Sequence, residues 1–152
     1  SMTDAMISAI DFMPTLLGYV GLDVPADLNL PGQSFVGNLT GDKNALRDAV
    51  VICDEYGPTR MARTREWKYV HRYREGPNEP FDLVSDPDER ENRVDDPSLK
   101  GRVDELRGIL KDWYSTVSSP DKDGKDQPLT GGGQLRPVGG VWENESDAFT
   151  GH

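Results

Sequence analysis

RTREWKYVHRY, residues 63–73, alternates aromatic with cationic or aliphatic side chains over its second half. Trp67, Tyr69, His71 and Tyr73 fall at every second position, and Lys68, Val70 and Arg72 lie between them. A period of two is that of a β-strand, so the first set shares one face and the second set the other. Residues 60–65 are expected to pair with 67–73 as a hairpin around Glu66. Upstream, the β-branched run AVVIC (49–53) suits a buried strand, and Gly57-Pro58 makes a turn before the hairpin. Downstream, EGPN (75–78) makes another turn and residues 80–84 offer a fourth strand. Four consecutive strands joined by short turns form an antiparallel meander.

A meander of this size needs a cover for one face. From Leu99 onward, Val103, Leu106, Ile109, Leu110, Trp113 and Tyr114 recur every three or four positions, which is an amphipathic helix running to about Val117 with Ser98 as its N-cap. Its apolar stripe is the natural partner of the sheet. The polar stretch SDPDERENRVDDPS (85–98) is the loop leading into it. Near the start, Pro14 is incompatible with a helix interior, so a short helix is expected to begin at Asp11. Asp11 then serves as N-cap, residues 6–10 form a short extended piece, and Gly21 ends the helix. Phe12, Met13, Leu16, Leu17 and Val20 give it a broad apolar face. Residues 34–39 are expected as a second short helix, capped by Ser34 and stopped by Gly41. The fold class is therefore α+β. It comprises a small four-stranded antiparallel sheet packed against a C-terminal amphipathic helix, with a short N-terminal helix and an irregular C-terminal tail.

Residues 118–152 depart from this pattern, holding seven of the 16 glycines and no periodicity. The expected division is a folded unit over 3–117 and a Gly/Pro-rich extension over 118–152. Leu135, Val141, Trp142 and Phe149 are the extension's available anchors, either on its own domain or on a neighbouring copy in a homo-oligomer.

The chain of 152 residues carries a formal net charge of -10, yet six of its 17 Lys and Arg lie between Arg60 and Arg74. Three readings of that concentration compete. The cations pair with the abundant Asp and Glu on a solvated face. Alternatively Arg60, Arg63, Arg65 and Arg72, with His71, contact an anion at a cleft rim, since guanidinium forks match sulfate and phosphate. The third reading is nucleic-acid binding with Trp67, Tyr69 and Tyr73 as stacking platforms, and the acidic remainder opposes it. No apolar run reaches the length of a membrane span.

No complete catalytic constellation is present. Two histidines, one of them His152, do not make a His-based metal cluster, and TGGGQ (130–134) lacks the lysine of a phosphate-binding loop. The lone Cys53 falls in a strand expected to be buried, followed by Asp54 and Glu55, which disfavour a thiolate. His71 reads as a packed or rim residue, and Asp95-Asp96 as turn carboxylates.

Taken in order, SAIDFMPTLLGYVGLDVP (8–25), LPGQSFVGNLTG (30–41), RTREWKYVHRY (63–73) and FDLVSDPDERENRV (81–94) before an amphipathic helix resemble the C-terminal end of sulfatases, in the alkaline phosphatase superfamily. The D-x-x-P-T-L start at Asp11, the W-K-Y strand at Trp67 and the D-L-x-x-D-P-x-E-x-x-N stretch at Asp82 carry the resemblance, over about residues 6–117. Arg93-Val94 departs from it, a leucine commonly following Asn92. The resemblance implies a C-terminal subdomain that buttresses a catalytic domain lying earlier in the parent chain. There, a formylglycine made within C/S-x-P-x-R and a calcium ion would hydrolyse a sulfate ester, or in relatives a phosphate or phosphonate ester. Cys53-Asp54-Glu55-Tyr56-Gly57 does not fit that motif, so no catalytic or metal residue carries over. On this reading the chain is inactive alone and its partner is the missing N-terminal catalytic domain. Arg60, Arg63, Arg65, His71 and Arg72 are candidates for the substrate rim. The rival expectation is a stand-alone interaction or oligomerisation module.

Overall fold

The structure, a computed structural model, describes residues 4–28, 30–41, 46–53, 58–73, 76–119 and 123–126. Strands β1 (Val50–Cys53), β2 (Thr59–Arg63), β3 (Trp67–Arg72) and β4 (Glu79–Asp82) form one antiparallel sheet in the order β1-β2-β3-β4. Helix α1 (Phe12–Tyr19) and the short α2 (Val36–Thr40) precede the sheet, and α3 (Lys100–Val117) follows it.

The alternation in 67–73 decides the layering. Tyr69 lies opposite Ala62 on β2 and Pro80 on β4, and Ala62 lies opposite Val51 on β1. This row faces α3, where Val51, Ala62, Tyr69, Leu106 and Leu110 form the buried core. Val103, Ile109, Trp113, Tyr114 and Trp67 pack around it. The β2–β3 turn is clasped by the Thr64 and Trp67 backbones: Thr64 N–H donates to Trp67 O at 2.8 Å and Trp67 N–H donates to Thr64 Oγ1 at 3.0 Å. Gly76, at φ +88, turns the chain into β4, a backbone state that disfavours a side chain.

Local details differ from the sequence expectations, each for a physical reason. Asp11 occupies the N-cap position of α1, as expected, but its carboxylate makes no capping bond to that helix. It ends a 3-10 helix (Ala9–Asp11), so Ala9 and Ile10 are helical rather than extended, and its carboxylate is fully buried and committed elsewhere. Helix α2 starts at Val36 rather than Ser34, with Phe35 as N-cap, although Gly41 at φ +110 does stop it. Ahead of α3, Asp96 takes the capping role expected of Ser98, accepting Ser98 N–H at 2.9 Å over the 3-10 helix Pro97–Leu99. Cys53 is exposed, not buried: β1 is an edge strand, and of its four residues only Val50 and Val51 are covered. The proposed tail anchors Leu135, Val141, Trp142 and Phe149 lie outside the described residues.

Candidate functional site

The sheet divides the basic stretch between its two faces, so the five candidate rim residues do not converge. Arg60 and His71, cross-strand partners, sit on the α3 face. Arg63 and Arg72 alternate to the opposite face, and Arg65 lies in the β2–β3 turn. Each cation has a local anion. Arg63 is 3.7 Å from Glu89, which also pairs with Lys68. Arg65 meets Asp4 at 3.0 Å. Arg72 meets Glu79 at 2.9 Å and donates to Pro77 O. An acidic chain thus concentrates its cations where strand ends and the 85–93 loop bring carboxylates to them. Arg74 lies outside the described residues.

The partner of His71, invisible in sequence, is Tyr69: their Nδ1 and Oη share a hydrogen bond of 2.9 Å. The Tyr73 ring stands edge-on to the imidazole at 4.3 Å. Burial, helped by Arg107 and Arg60, pushes the His71 pKa down and keeps the ring neutral. Burial likewise pushes the Tyr69 hydroxyl up. A buried tyrosine bonded to a half-buried histidine on the core side is a packing device.

A second cluster, near the N-terminus, joins two stretches that sequence reading kept apart. Asp11 Oδ2 accepts Ser8 N–H at 2.8 Å, and Oδ1 accepts both Gln33 N–H at 2.8 Å and Arg47 Nη2 at 2.6 Å. Thr15 Oγ1 donates to Asp11 O at 2.6 Å and accepts Phe35 N–H at 3.0 Å. Gly32 is required between them, because a Cβ there would stand 2.1 Å from Ile10 O. Thus D-x-x-P-T-L and L-P-G-Q-S-F are two halves of one clamp. Their chemistry is structural.

That clamp leaves α1 with an unexpected orientation. Pro14 and Thr15 are its buried residues, whereas Phe12 is 65% exposed, Leu16 48% and Tyr19 68%. With Phe35 and Leu39 they line an apolar groove of about 320 Å³. Exposed apolar patches of this kind mark interfaces.

Metal and nucleophile chemistry finds no footing here. Among the described residues no group of three or more His, Cys, Asp or Glu is placed to hold a metal ion. Cys53 is exposed and is followed by Asp54, not by the x-P-x-R of a formylglycine site. Among the described residues, then, no donor set is placed for calcium, and Cys53 does not stand in a formylglycine motif. No described helix is long and apolar enough to cross a membrane.

Comparison with known proteins agrees with this geometry. Residues 1–115 match the family model of the N-sulphoglucosamine sulphohydrolase C-terminal domain. The chain is 34% identical over 119 residues to a delta 4,5-hexuronate-2-O-sulfatase of Bacteroides thetaiotaomicron, covering 74% of this chain and 24% of that one. It superposes with a TM-score of 0.63 and 25% identity on a protein solved with its substrate D-glucosamine-2-N,6-O-disulfate, over 78% of this chain and 25% of the other. A phosphonate monoester hydrolase of Agrobacterium radiobacter superposes with a TM-score of 0.59 and 25% identity, over 74% of this chain and 26% of the other. The chain spans about a quarter of the length of these relatives.

Proposed function

We propose, because this chain belongs to the family of N-sulphoglucosamine sulphohydrolase C-terminal domains, that it serves as the non-catalytic C-terminal part of a sulfatase-type ester hydrolase. Residues 3–117 form the family subdomain on this reading, and 118–152 a Gly/Pro-rich extension. The observation that carries the proposal is the apolar groove of α1 and α2, since Phe12, Leu16 and Tyr19 are exposed at helical spacing on a chain a quarter as long as its relatives. The occupant is the catalytic α/β domain, which forms the preceding part of a sulfatase chain and so lies next to α1. Burying three such side chains would contribute roughly 1.5–3 kcal/mol each before the cost of association.

Calcium and formylglycine would belong to that catalytic domain, as would the attack on the ester. The part played by this chain is support and electrostatic attraction of an anionic ester toward the pocket by Arg63 and Arg72, on the sheet face away from α3, and by Arg65 in the β2–β3 turn. Arg60 and His71, on the α3 face, would act by holding the hairpin's shape.

The test is hydrolysis of 4-nitrophenyl sulfate by the 152-residue chain alone and by the chain joined to the polypeptide encoded upstream of it. No turnover alone and turnover when joined is the expected result. An upstream frame without C/S-x-P-x-R would contradict the proposal. The likeness to a phosphonate monoester hydrolase favours a phosphonate monoester, 4-nitrophenyl phenylphosphonate, as the rival substrate in the same assay.

A further inference from the structure

Arg60 is the one cation of the hairpin that is buried, with 3% of its side chain exposed. It lies where the sheet meets the C-terminal end of α3. Its guanidinium stands 3.4 Å from the ring centroid of Tyr114 and 4.9 Å from that of Tyr73, so aromatic rings fix its plane. Along one edge of any arginine, the Nε–H and one Nη–H point the same way, spaced to meet two oxygens of a single oxyanion. Here the edge is only half used. Asp123 bonds Nη2 through Oδ1, and its Oδ2 turns to Lys125 Nζ at 3.4 Å. Arg60 Nε is buried and has no hydrogen-bond partner among the described residues. A buried donor left unmet is uncommon, and it points to a ligand able to meet it.

The surroundings suit such a ligand. A cleft of about 340 Å³ opens beside Arg60, lined also by Lys111, Lys125, Ser115 and Ser118. Three cations face one carboxylate there, in a chain that is acidic as a whole. Asp123 lies beyond the family match, which ends at residue 115.

We propose that the cleft is an oxyanion-binding site whose internal occupant, Asp123, is exchangeable. A sulfate-sized oxyanion displaces the Asp123 carboxylate, takes both Nε–H and Nη2–H of Arg60, and is completed by Lys111, with the Ser115 and Ser118 hydroxyls turning to it from the Asp112 and Ser119 carbonyls to which they now donate. The Asp123 segment is thereby released from the sheet. No bond is broken, and the site stands whether or not a catalytic domain docks at α1.

The experiment is a titration of the full chain with sodium sulfate, followed by the NMR resonance of Arg60 Nε–H, against sodium chloride at equal ionic strength. A saturable shift with sulfate alone is expected. Asp123→Asn, which removes the competing charge while keeping the side chain's shape, should tighten the midpoint about tenfold, the effect of one charge-assisted hydrogen bond. Arg60→Lys, which keeps charge but loses the fork, should abolish saturation. Equal responses to sulfate and chloride would overturn the proposal, as would an unchanged midpoint in Asp123→Asn. That second variant decides the matter even if Arg60→Lys fails to fold. Phenyl sulfate in a parallel titration separates the sources: a tighter midpoint than sulfate assigns an ester-borne group, an equal one the free ion.

Discussion

At the scale of single residues, the most constrained side chain is Asp11, fully buried and holding Ser8, Gln33 and Arg47 together. Asp11→Ala leaves a largely buried guanidinium and two N–H groups without their acceptor, so the urea midpoint should fall by an amount equivalent to about 3 kcal/mol. Asp11→Asn, which keeps an acceptor but loses the charge, should cost less. His71 supplies a pH test. Its folded-state pKa lies below the ordinary value of 6.5, because burial and the nearby Arg107 and Arg60 disfavour the cation. The unfolded chain therefore takes up its proton first as pH falls. The stabilisation is complete above about pH 6.5 and is lost as pH falls from there through the lowered native value. His71→Gln should flatten that part of a plot of urea midpoint against pH. Asp82, Asp96 and Asp123, which hydrogen bonds from Ser85, Ser98 and Arg60 respectively hold below the usual carboxylate range against burial where it opposes, lose their contribution only near and below pH 4, a separate window.

Among the elements, α3 carries the fold. Leu106 is fully buried against Tyr69 and Ala62, so Leu106→Ala should destabilise by about 2–5 kcal/mol by thermal or urea unfolding. This element was also the plainest in sequence, because a stripe recurring every three or four residues has one solution, as the alternation of Trp67, Tyr69 and His71 does for β3. The four strands and their order followed from turns at Gly57-Pro58, Glu66 and Gly76. Helix starts were less legible. Asp11, Ser34 and Ser98 are all good capping residues by type, yet Asp11 is recruited by Gln33 and Arg47, and Asp96 reaches the α3 entry first. Long-range claims on a polar group leave no local trace. The same holds for Cys53, whose exposure depends on β1 being an edge strand. Of the basic stretch, sequence showed the charge and, along 67–73, the split of His71 from Lys68 and Arg72 across two faces, but not the carboxylate that each cation meets, since Glu89 and Asp123 are 21 or more positions away from Lys68 and Arg60.

For the whole molecule, the meander and α3 form a self-sufficient core, whereas α1 and α2 present apolar side chains outward. That asymmetry is what a supporting subdomain needs: one buried layer to fold on and another left for a partner. In an assembled enzyme, Arg63→Ala or Arg72→Ala should raise KM more than it lowers kcat, since a steering charge acts before the bond changes. Unchanged KM and salt dependence in both would reduce the hairpin to scaffold. The most direct measurement is the affinity between this chain and the catalytic domain proposed to precede it, compared for the natural sequence and Leu16→Asp. Leu16 is 48% exposed, so the substitution should leave the urea midpoint of the chain alone within about 0.5 kcal/mol while abolishing the complex. A complex that Leu16→Asp leaves intact, or no complex at all with the natural sequence, would contradict the assignment of α1 as the docking face.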